Sequence, residues 1–414
     1  MPQTEKHGGE ARPKVVRIIG RLVSGPARQA CLLHQELISG FQTRLICGSP
    51  CTGEHDMGYL LGSEEHVFRL AGMSREISLA DLKALWDIYR FLRRERPQLV
   101  HTHTAKAGAL GRSAAWLARV PIIVHTYHGH VFHGYFGPQK TRMFLALERL
   151  LGRITTRVVA ISESQKEELS RHYQVVPPEK ISVVKNGFHF AHFSPEEREQ
   201  ARTAFGFEQS DFVLVWAGRM APVKDIQLLA EVARAAHARA SNARFLVVGD
   251  GEERAGFEER VRDCANVRVL GWQRDMDQVW RAADAAILTS RNEGTPTALI
   301  EAMAAGLPFV STQVGAVHDL AAGTWEPLPD GMGFKAANGI MTERDPKALL
   351  YSVEELTNDR AGARRMGEAG RQFVRERFAA PRLVAEISAL YRALLTETFN
   401  HTRWRKSPGA DATR

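Results

Sequence analysis

The chain has 414 residues, 44% of them apolar and 25% charged, the make-up of an ordinary globular protein rather than a fibrous or low-complexity one. That length exceeds one compact core, so two domains are expected. Four irregularly spaced cysteines (Cys31, Cys47, Cys51, Cys264) exclude a disulfide-stapled secreted fold and point to a reducing, cytoplasmic compartment. The polar stretch Met1 to Lys14 lacks a signal-peptide core, and no apolar run approaches membrane-spanning length. A formal net charge of +8 favours acidic partners such as nucleotide phosphates, an anionic membrane surface or nucleic acid.

In chain order, the first dozen residues read as disordered. Lys14 to Gly20 is a strand running into a turn at Ser24-Gly25-Pro26, followed by a helix from Ala27 to Ser39. Alternation continues with strands at 43–47, 99–101, 122–126, 158–161 and 180–184. Helices at 79–96, 106–117 and 139–152 separate them, and Ser162 caps a further helix. Strands divided by helices of this length imply a parallel, doubly wound sheet. The rhythm breaks after Lys185, at an Asn186-Gly187 turn and the charged run Glu196 to Arg202. Residues 191–210 therefore read as an interdomain hinge.

A second series follows, with strands at 212–217, 244–248, 267–270 and 285–288 and helices at 226–238, 252–263 and 276–283. Helices at 346–356, 362–378 and 381–396 close the chain, and residues 403–414 read as a disordered tail. The expected fold class is α/β: two Rossmann-like parallel-sheet lobes, 1–190 and 211–380, facing a cleft.

The most informative stretch is Glu293-Gly294-Thr295-Pro296-Thr297-Ala298-Leu299-Ile300-Glu301, after the apolar strand 285–288. Thr295 reads as the N-cap, Pro296 as the first helical residue and Gly306 as the C-terminal stop. Two carboxylates, Glu293 in the loop and Glu301 inside the helix, thus flank a helix start whose unpaired N–H groups suit phosphate. In the same lobe, Gly218-Arg219-Met220-Ala221-Pro222-Val223-Lys224 follows a strand. It offers a forked and a point cation to a diphosphate. Each segment alone also reads as ordinary, the acids as helix-dipole complements and the cations as surface charges. Together they describe a nucleotide-sugar site.

Six histidines fall between residues 101 and 133: His101, His103, His125, His128, His130 and His133. No Asp or Glu lies between Glu95 and Glu148, which argues against a catalytic metal. His101 and His103 end one strand and His128 follows another, so these are expected to face the cleft, whereas His125 and His133 read equally well as structural imidazoles. Two helices carry basic residues beside apolar ones. Arg90, Arg93 and Arg94 lie near Trp86 and Phe91, and Arg142, Arg149 and Arg153 lie near Met143, Phe144 and Leu147. These are either solvated faces or a docking surface for anionic membrane.

On these residues the chain resembles the retaining, family 4 glycosyltransferases of GT-B fold, in particular bacterial members that build surface polysaccharides. The resemblance covers about Lys14 to Leu395. It rests on the Glu293/Glu301 spacing through Gly306-Leu307-Pro308, the Gly218-Arg219…Lys224 segment, Asn186-Gly187, His101-Thr102-His103 and Tyr127-His128-Gly129-His130. It implies transfer of a sugar from a nucleoside diphosphate, UDP- or GDP-linked, to a hydroxyl of a glycan or lipid-linked acceptor in envelope glycan synthesis, without a metal or other cofactor. His128, Arg219, Lys224 and Glu293 would be catalytic. Gly25, Asn186, Gly218, Gly294, Thr295, Thr297, Ala298, Leu299 and Glu301 would join them around the donor, with Glu293 on the sugar and Glu301 on the ribose. His101, His103, Tyr127 and His130 would lie on the acceptor side, and the last helix would cross back onto the first lobe. The sequence departs from the family pattern at Ser24-Gly25-Pro26-Ala27, where a double glycine is usual. It departs again at Gly315-Ala316-Val317-His318-Asp319, where Gly315 keeps a backbone role.

Two other readings stay open: a nucleotide-sugar 2-epimerase of the same two-lobed architecture, and a non-catalytic nucleotide-sugar or polyanion binder. Nucleic acid is not expected as a partner, because the basic residues are scattered and no reader motif occurs.

Overall fold

The structure, a computed structural model, describes residues 12–51, 55–70, 73, 78–129, 137–190, 195–329 and 331–404. The first lobe holds β1 (Lys14–Arg21), α1 (Ser24–Glu36), β2 (Gln42–Gly48), β3 (Val67–Leu70), α2 (Ala80–Glu95), β4 (Leu99–His103) and α3 (Ala105–Leu117). It continues with β5 (Ile122–Tyr127), α4 (Pro138–Ile154), β6 (Arg157–Ala160), α5 (Glu163–Glu167) and β7 (Ile181–Val183). Its sheet has the order β3-β2-β1-β4-β5-β6-β7 and every pairing is parallel.

Helix α6 (Pro195–Ala204) leads into the second lobe, with β8 (Phe212–Ala217), α7 (Ile226–Ala238), β9 (Ala243–Val248), α8 (Arg254–Arg260), β10 (Val267–Gly271), α9 (Met276–Ala282) and β11 (Ala285–Leu288). Next come α10 (Thr297–Ala304), β12 (Phe309–Thr312), β13 (Glu326–Pro327), β14 (Gly333–Ala336) and β15 (Gly339–Thr342). Helices α11 (Pro346–Asn358), α12 (Arg360–Arg377) and α13 (Ala380–Trp404) close the chain. The second sheet runs β10-β9-β8-β11-β12-β15-β14-β13, parallel except where β14 pairs with its two neighbours. Both lobes are therefore doubly wound, with strand order reversing beside β1 and β8, and ligands bind such sheets at that reversal.

Several elements differ from the sequence reading. Strands β3 and β12 to β15 are short and carry little alternation, so periodicity does not reveal them. Ser24-Gly25-Pro26 is the first turn of α1 rather than a turn before it. Within 191–210, the charged run folds as α6 and is fixed to the second lobe. Arg198 and Arg202 donate to the two carboxylate oxygens of Asp284 at 2.7 and 2.9 Å. Asp284 precedes β11, so this contact ties α6 to the same strand that leads into the Glu293 loop. Helix α13 extends to Trp404, past the expected end near residue 396.

The chain then returns to where it began. Leu383, Ile387, Tyr391 and Leu394 of α13 recur at helical spacing and pack with Val15, Leu33, Phe41 and Leu99 of the first lobe. Each such buried side chain is worth roughly 1.5–3 kcal/mol, enough to hold the last helix on the first lobe. The crossing is fixed at Asn186-Gly187. Arg382 donates to the carbonyls of Lys185 and Asn186 at 2.7 and 2.8 Å, and Phe188 exchanges backbone bonds with Phe378 and Ala380.

Candidate active site

The two lobes meet where the N-termini of α1 and α10 face each other. A Cβ added at Gly25 would lie 3.3 Å from the Thr297 methyl, and one at Gly294 would lie 2.6 Å from the His128 carbonyl. Helix α10 begins at Thr297, with Pro296 at the cap position and no side-chain cap. Thr295 is thus not the N-cap, which corrects the sequence reading: Pro296 takes the non-helical cap conformation (φ −74°, ψ 88°), so the helix starts a residue later. Of the first amides of α10, those of Thr297 and Ala298 belong to the turn that lacks intrahelical acceptors, whereas Leu299 N–H donates to the Pro296 carbonyl at 3.1 Å. Gly306 ends the helix in the left-handed region at φ +80°, as expected.

Glu293 is nearly buried, and its Oε1 accepts hydrogen bonds from Lys224 Nζ and Ser290 Oγ, both at 2.5 Å. The expected diphosphate cation and the expected sugar-binding acid therefore form one ion pair, and each holds the other in place. Arg219 is exposed, and its side chain has no hydrogen-bond or ion-pair partner among the described residues. Glu301 is shared across the cleft. Its Oε1 takes a 2.6 Å bond from Arg28 of α1, and its Oε2 takes one from Trp280 Nε1 at 3.3 Å. Arg28 escaped the sequence reading because nothing local in α1 distinguishes it from a solvated helix arginine.

Backbone packing sets the positions of these loops. Gly249 (φ +138°) and Gly251 (φ +154°) lie against Gly218 and Met220, where a Cβ would fall 1.8 and 2.5 Å from a carbonyl oxygen. Met220 N–H donates to the Asp250 carbonyl at 2.9 Å, and Thr289 Oγ1 donates to the Lys224 carbonyl at 3.0 Å. Gly315 (φ +46°) supports Glu293 from below: a Cβ there would lie 2.0 Å from the Glu293 carbonyl, the backbone role expected of it. Buried Asp225, itself at φ +47°, binds Arg291 at 3.2 Å and also Arg344, joining the Lys224 turn to two neighbouring loops. The Gly249-Asp250-Gly251 triplet was a legible signal, since two glycines after a strand mark close backbone approach.

The histidines are placed differently from expectation. His101 is fully buried, and both its nitrogens are used, Nδ1 with Tyr391 Oη at 2.6 Å and Nε2 with Thr126 Oγ1 at 2.7 Å. Tyr127 donates to Glu148 at 2.5 Å, and Glu148 also pairs with buried Arg112 at 2.8 Å. His101 and Tyr127 are therefore core groups rather than acceptor contacts, because their polar atoms are satisfied inside the lobe. His125 is likewise internal, bonded to Thr102 Oγ1 at 2.8 Å and packed on Gly108. His103 is buried but reaches the cleft indirectly, with Nδ1 2.9 Å from Nε2 of half-buried His128. His130, His133 and the loop 132–136 lie outside the described residues.

Burial holds these rings neutral. It pushes His101, His103 and His125 well below the ordinary histidine range, with nearby Arg17, Arg112 and other imidazoles adding to the effect, and it lowers His128 to about 4. Asn186 is buried beside them and lines a small cavity with Gln29, His103, Thr126 and His128, while Gln29 bonds both backbone groups of Gly187. Among the described residues, no cluster of three or more His, Cys, Asp or Glu groups is able to hold a metal ion, and no helix is long and apolar enough to cross a membrane.

Two parallel-sheet lobes that bring helix N-termini, a lysine and a paired carboxylate to a common cleft have the architecture of a GT-B glycosyltransferase. The chain belongs to the family 4 glycosyltransferases: residues 24–187 match the family model "Glycosyl transferase 4-like domain" and residues 211–359 match "Glycosyl transferases group 1". It is 32% identical over 306 residues to the Escherichia coli UDP-Gal:alpha-D-GlcNAc-diphosphoundecaprenol alpha-1,3-galactosyltransferase, covering 71% of this chain and 77% of that one. It is 25% identical to the Staphylococcus aureus capsular polysaccharide biosynthesis glycosyltransferase CapM, covering 81% and 87%. The crystal structure of Anabaena HepE in complex with UDP and glucose shares the fold, with a TM-score of 0.74 at 19% identity over 92% of this chain and 100% of that one. The protein is a glycosyltransferase, and these relatives do not favour the epimerase or the non-catalytic binder.

Proposed function

We propose that the enzyme moves a hexose-type sugar from a UDP- or GDP-linked donor to a hydroxyl of a lipid-diphosphate-linked glycan, with retention at the anomeric carbon, on the cytoplasmic face of a membrane. The observation that carries this reading is the Lys224–Glu293 pair at the start of α10, set against the His128-Gly129 backbone of the opposite lobe. A sugar diphosphate entering there meets the α10 N-terminus, Lys224 and Arg219. These stabilise the negative charge that builds on the leaving diphosphate. Glu293 then turns from Lys224 and Ser290 to hydroxyls of the sugar, and Glu301 holds the ribose beside Arg28. Protein cations and a helix terminus serve in place of a divalent metal. The leaving diphosphate takes the acceptor proton, since among the described residues no carboxylate of the first lobe pairs with His128 to act as nucleophile. The relatives support the donor and acceptor classes, as one is named for a UDP-sugar donor and a diphosphoundecaprenol acceptor.

A panel of nucleoside diphosphate sugars tests the donor. Binding raises stability by about 2.7 kcal/mol at a hundred times the dissociation constant, so the true donor shows as the largest rise in melting temperature. Incubation of that donor with a polyprenyl-diphosphate sugar is expected to give a product with the donor's anomeric configuration. An inverted product ends the retention proposal, and the absence of any donor-dependent shift ends the donor assignment.

A further inference from the structure

Arg17, on β1, lies fully buried in the first lobe, and its Nε and Nη1 atoms have no partner. Its Nη2 donates to Tyr391 Oη at 3.4 Å, and its guanidinium carbon lies 5.8 Å from that ring's centre. From Tyr391 a continuous side-chain path runs through His101 to Thr126, while His103 contacts His128. We infer that His103 is a positioning residue that fixes His128 as the tautomer with hydrogen on Nδ1, at the end of a one-way hydrogen-bond chain whose direction is set by Arg17.

The direction follows from donor and acceptor counting. A guanidinium only donates, so the Tyr391 oxygen receives from Arg17. The buried Tyr391 hydroxyl then has His101 Nδ1, 2.6 Å away, as its acceptor, and pointing its hydrogen elsewhere would leave a buried donor unmade. His101 therefore carries hydrogen on Nε2 and donates it to Thr126 Oγ1. That leaves the Thr126 hydroxyl hydrogen as the next donor.

Thr126, His103 and His128 line one small cavity with room for a single water molecule. His103 Nε2 is buried without a protein partner. The chain closes if a water in this cavity accepts from Thr126 and donates to that nitrogen, the orientation that would place the His103 hydrogen on Nδ1. His103 Nδ1–H then donates to His128 Nε2, 2.9 Å away. A neutral His128 whose Nε2 accepts must carry its hydrogen on Nδ1.

The consequence rests on the glycosyltransferase reading. His128 offers an N–H to a donor-sugar hydroxyl and does not act there as a base. Because Tyr391 comes from α13, the chain's last helix sets the state of a cleft histidine in the first lobe.

The tautomer is measurable without any substrate, which separates this proposal from the assignment of the reaction. In the full-length protein labelled with 15N-histidine, long-range 15N–1H correlation at pH 7 is expected to show His128 Nδ1 as the hydrogen-bearing nitrogen and Nε2 as the bare one. His128→Gln supplies the assignment. Hydrogen on Nε2 overturns the proposal. Tyr391→Phe removes only the hydroxyl and keeps the edge-on ring contact with Phe41. It is expected to convert the His128 signals to a mixture of tautomers, and an unchanged spectrum overturns the chain.

In turnover with the donor, His103→Leu is expected to lower kcat about tenfold while the donor KM stays within about twofold. His103→Asn, which keeps an amide donor near the Nδ1 position, is expected to recover most of that loss. Equal kcat in the Leu variant, the Asn variant and the wild type overturns the positioning role.

Discussion

The two lobes bring their functional groups to the cleft by opposite means. In the second lobe the backbone does the positioning: Gly249, Gly251 and Gly315 let chain segments approach so closely that a Cβ would collide with a carbonyl. The charged side chains there, Arg219, Lys224 and Glu293, are left at the surface of the cleft or paired with each other. In the first lobe side chains do the positioning, through a buried network of Arg17, Tyr391, His101 and His103 that contains no carboxylate. A backbone-built anion site tolerates different ligands at fixed charge positions, whereas a side-chain network fixes the hydrogen-bonding state of one imidazole. On the function proposed above, electrostatic work would fall to the second lobe and orientation to the first.

The largest effect is expected where charge is stabilised. Lys224→Ala should lower kcat by roughly 10²- to 10³-fold, the scale of losing one preorganised group that faces developing charge. Its melting temperature should fall as well, because the nearly buried Glu293 carboxylate would keep only Ser290 Oγ as a partner. Steady-state kinetics with the best donor checks this, and a Lys224→Ala enzyme within threefold of wild type would mean that the cleft charge is handled elsewhere. Gly315→Ala probes the backbone instead. At φ +46°, with a Cβ directed 2.0 Å from the Glu293 carbonyl, it should destabilise the protein by at least about 1–3 kcal/mol. Urea unfolding reads the loss directly, and a wild-type midpoint would show that the loop relaxes freely.

How much of this was legible in the sequence divides along the same line. The second-lobe site reads well because its signals are local: Glu293 and Glu301 bracket a Pro-Thr helix start, and Gly218, Arg219 and Lys224 follow a strand of high β propensity. Strand and helix alternation likewise gave β8, α7 and β11 at their observed limits. The edge β13 to β15 ribbon did not show, since strands of two to four residues carry too little periodicity. In the first lobe, histidine number and position drew attention to the right segment, but burial reversed the roles of His101 and Tyr127. Their partners, Tyr391 and Glu148, lie 290 and 21 residues away, beyond any local pattern. Arg28 was missed for the same reason, its partner Glu301 being 273 residues distant.

Acid should distinguish the lobes. His34, like His128, is lowered to about 4 by burial, and His101, His103 and His125 lie well below their usual value. For each, the unfolded chain binds a proton below about pH 6.5 that the folded chain refuses, so stability rises with pH across that window and is complete above it. Each of these groups removes about 1.4 kcal/mol per pH unit as pH falls from 6.5 towards its folded value. All five lie in the first lobe. Hydrogen exchange between pH 7.5 and 5 is therefore expected to show β4 and β5 losing protection before β8 and β9. Simultaneous loss in both lobes would show that they unfold as one unit and that the contrast is local to the site.

The smallest effect concerns the outer face of the first lobe. Helices α2 and α4 both pack on α3, yet each exposes large apolar residues: Leu79, Leu82 and Trp86 at the start of α2, and Met143, Leu147 and Leu150 along α4. Exposed Arg90, Arg93, Arg142 and Arg153 accompany them. This combination fits an anionic bilayer, where apolar side chains enter the interface and each nearby cation adds about 1 kcal/mol. For the lipid-linked acceptor proposed above, it is also the arrangement that would bring that acceptor to the lobe bearing His128. Sedimentation with anionic vesicles is expected to retain the wild-type protein at low salt and to release it as salt rises. A Leu147→Ser, Leu150→Ser variant should bind such vesicles several-fold more weakly, yet turn over a short-chain, water-soluble acceptor at the wild-type rate, since both side chains lie exposed on α4. Equal vesicle binding by the variant would assign the face to ordinary solvation and leave the first lobe with orientation as its sole contribution.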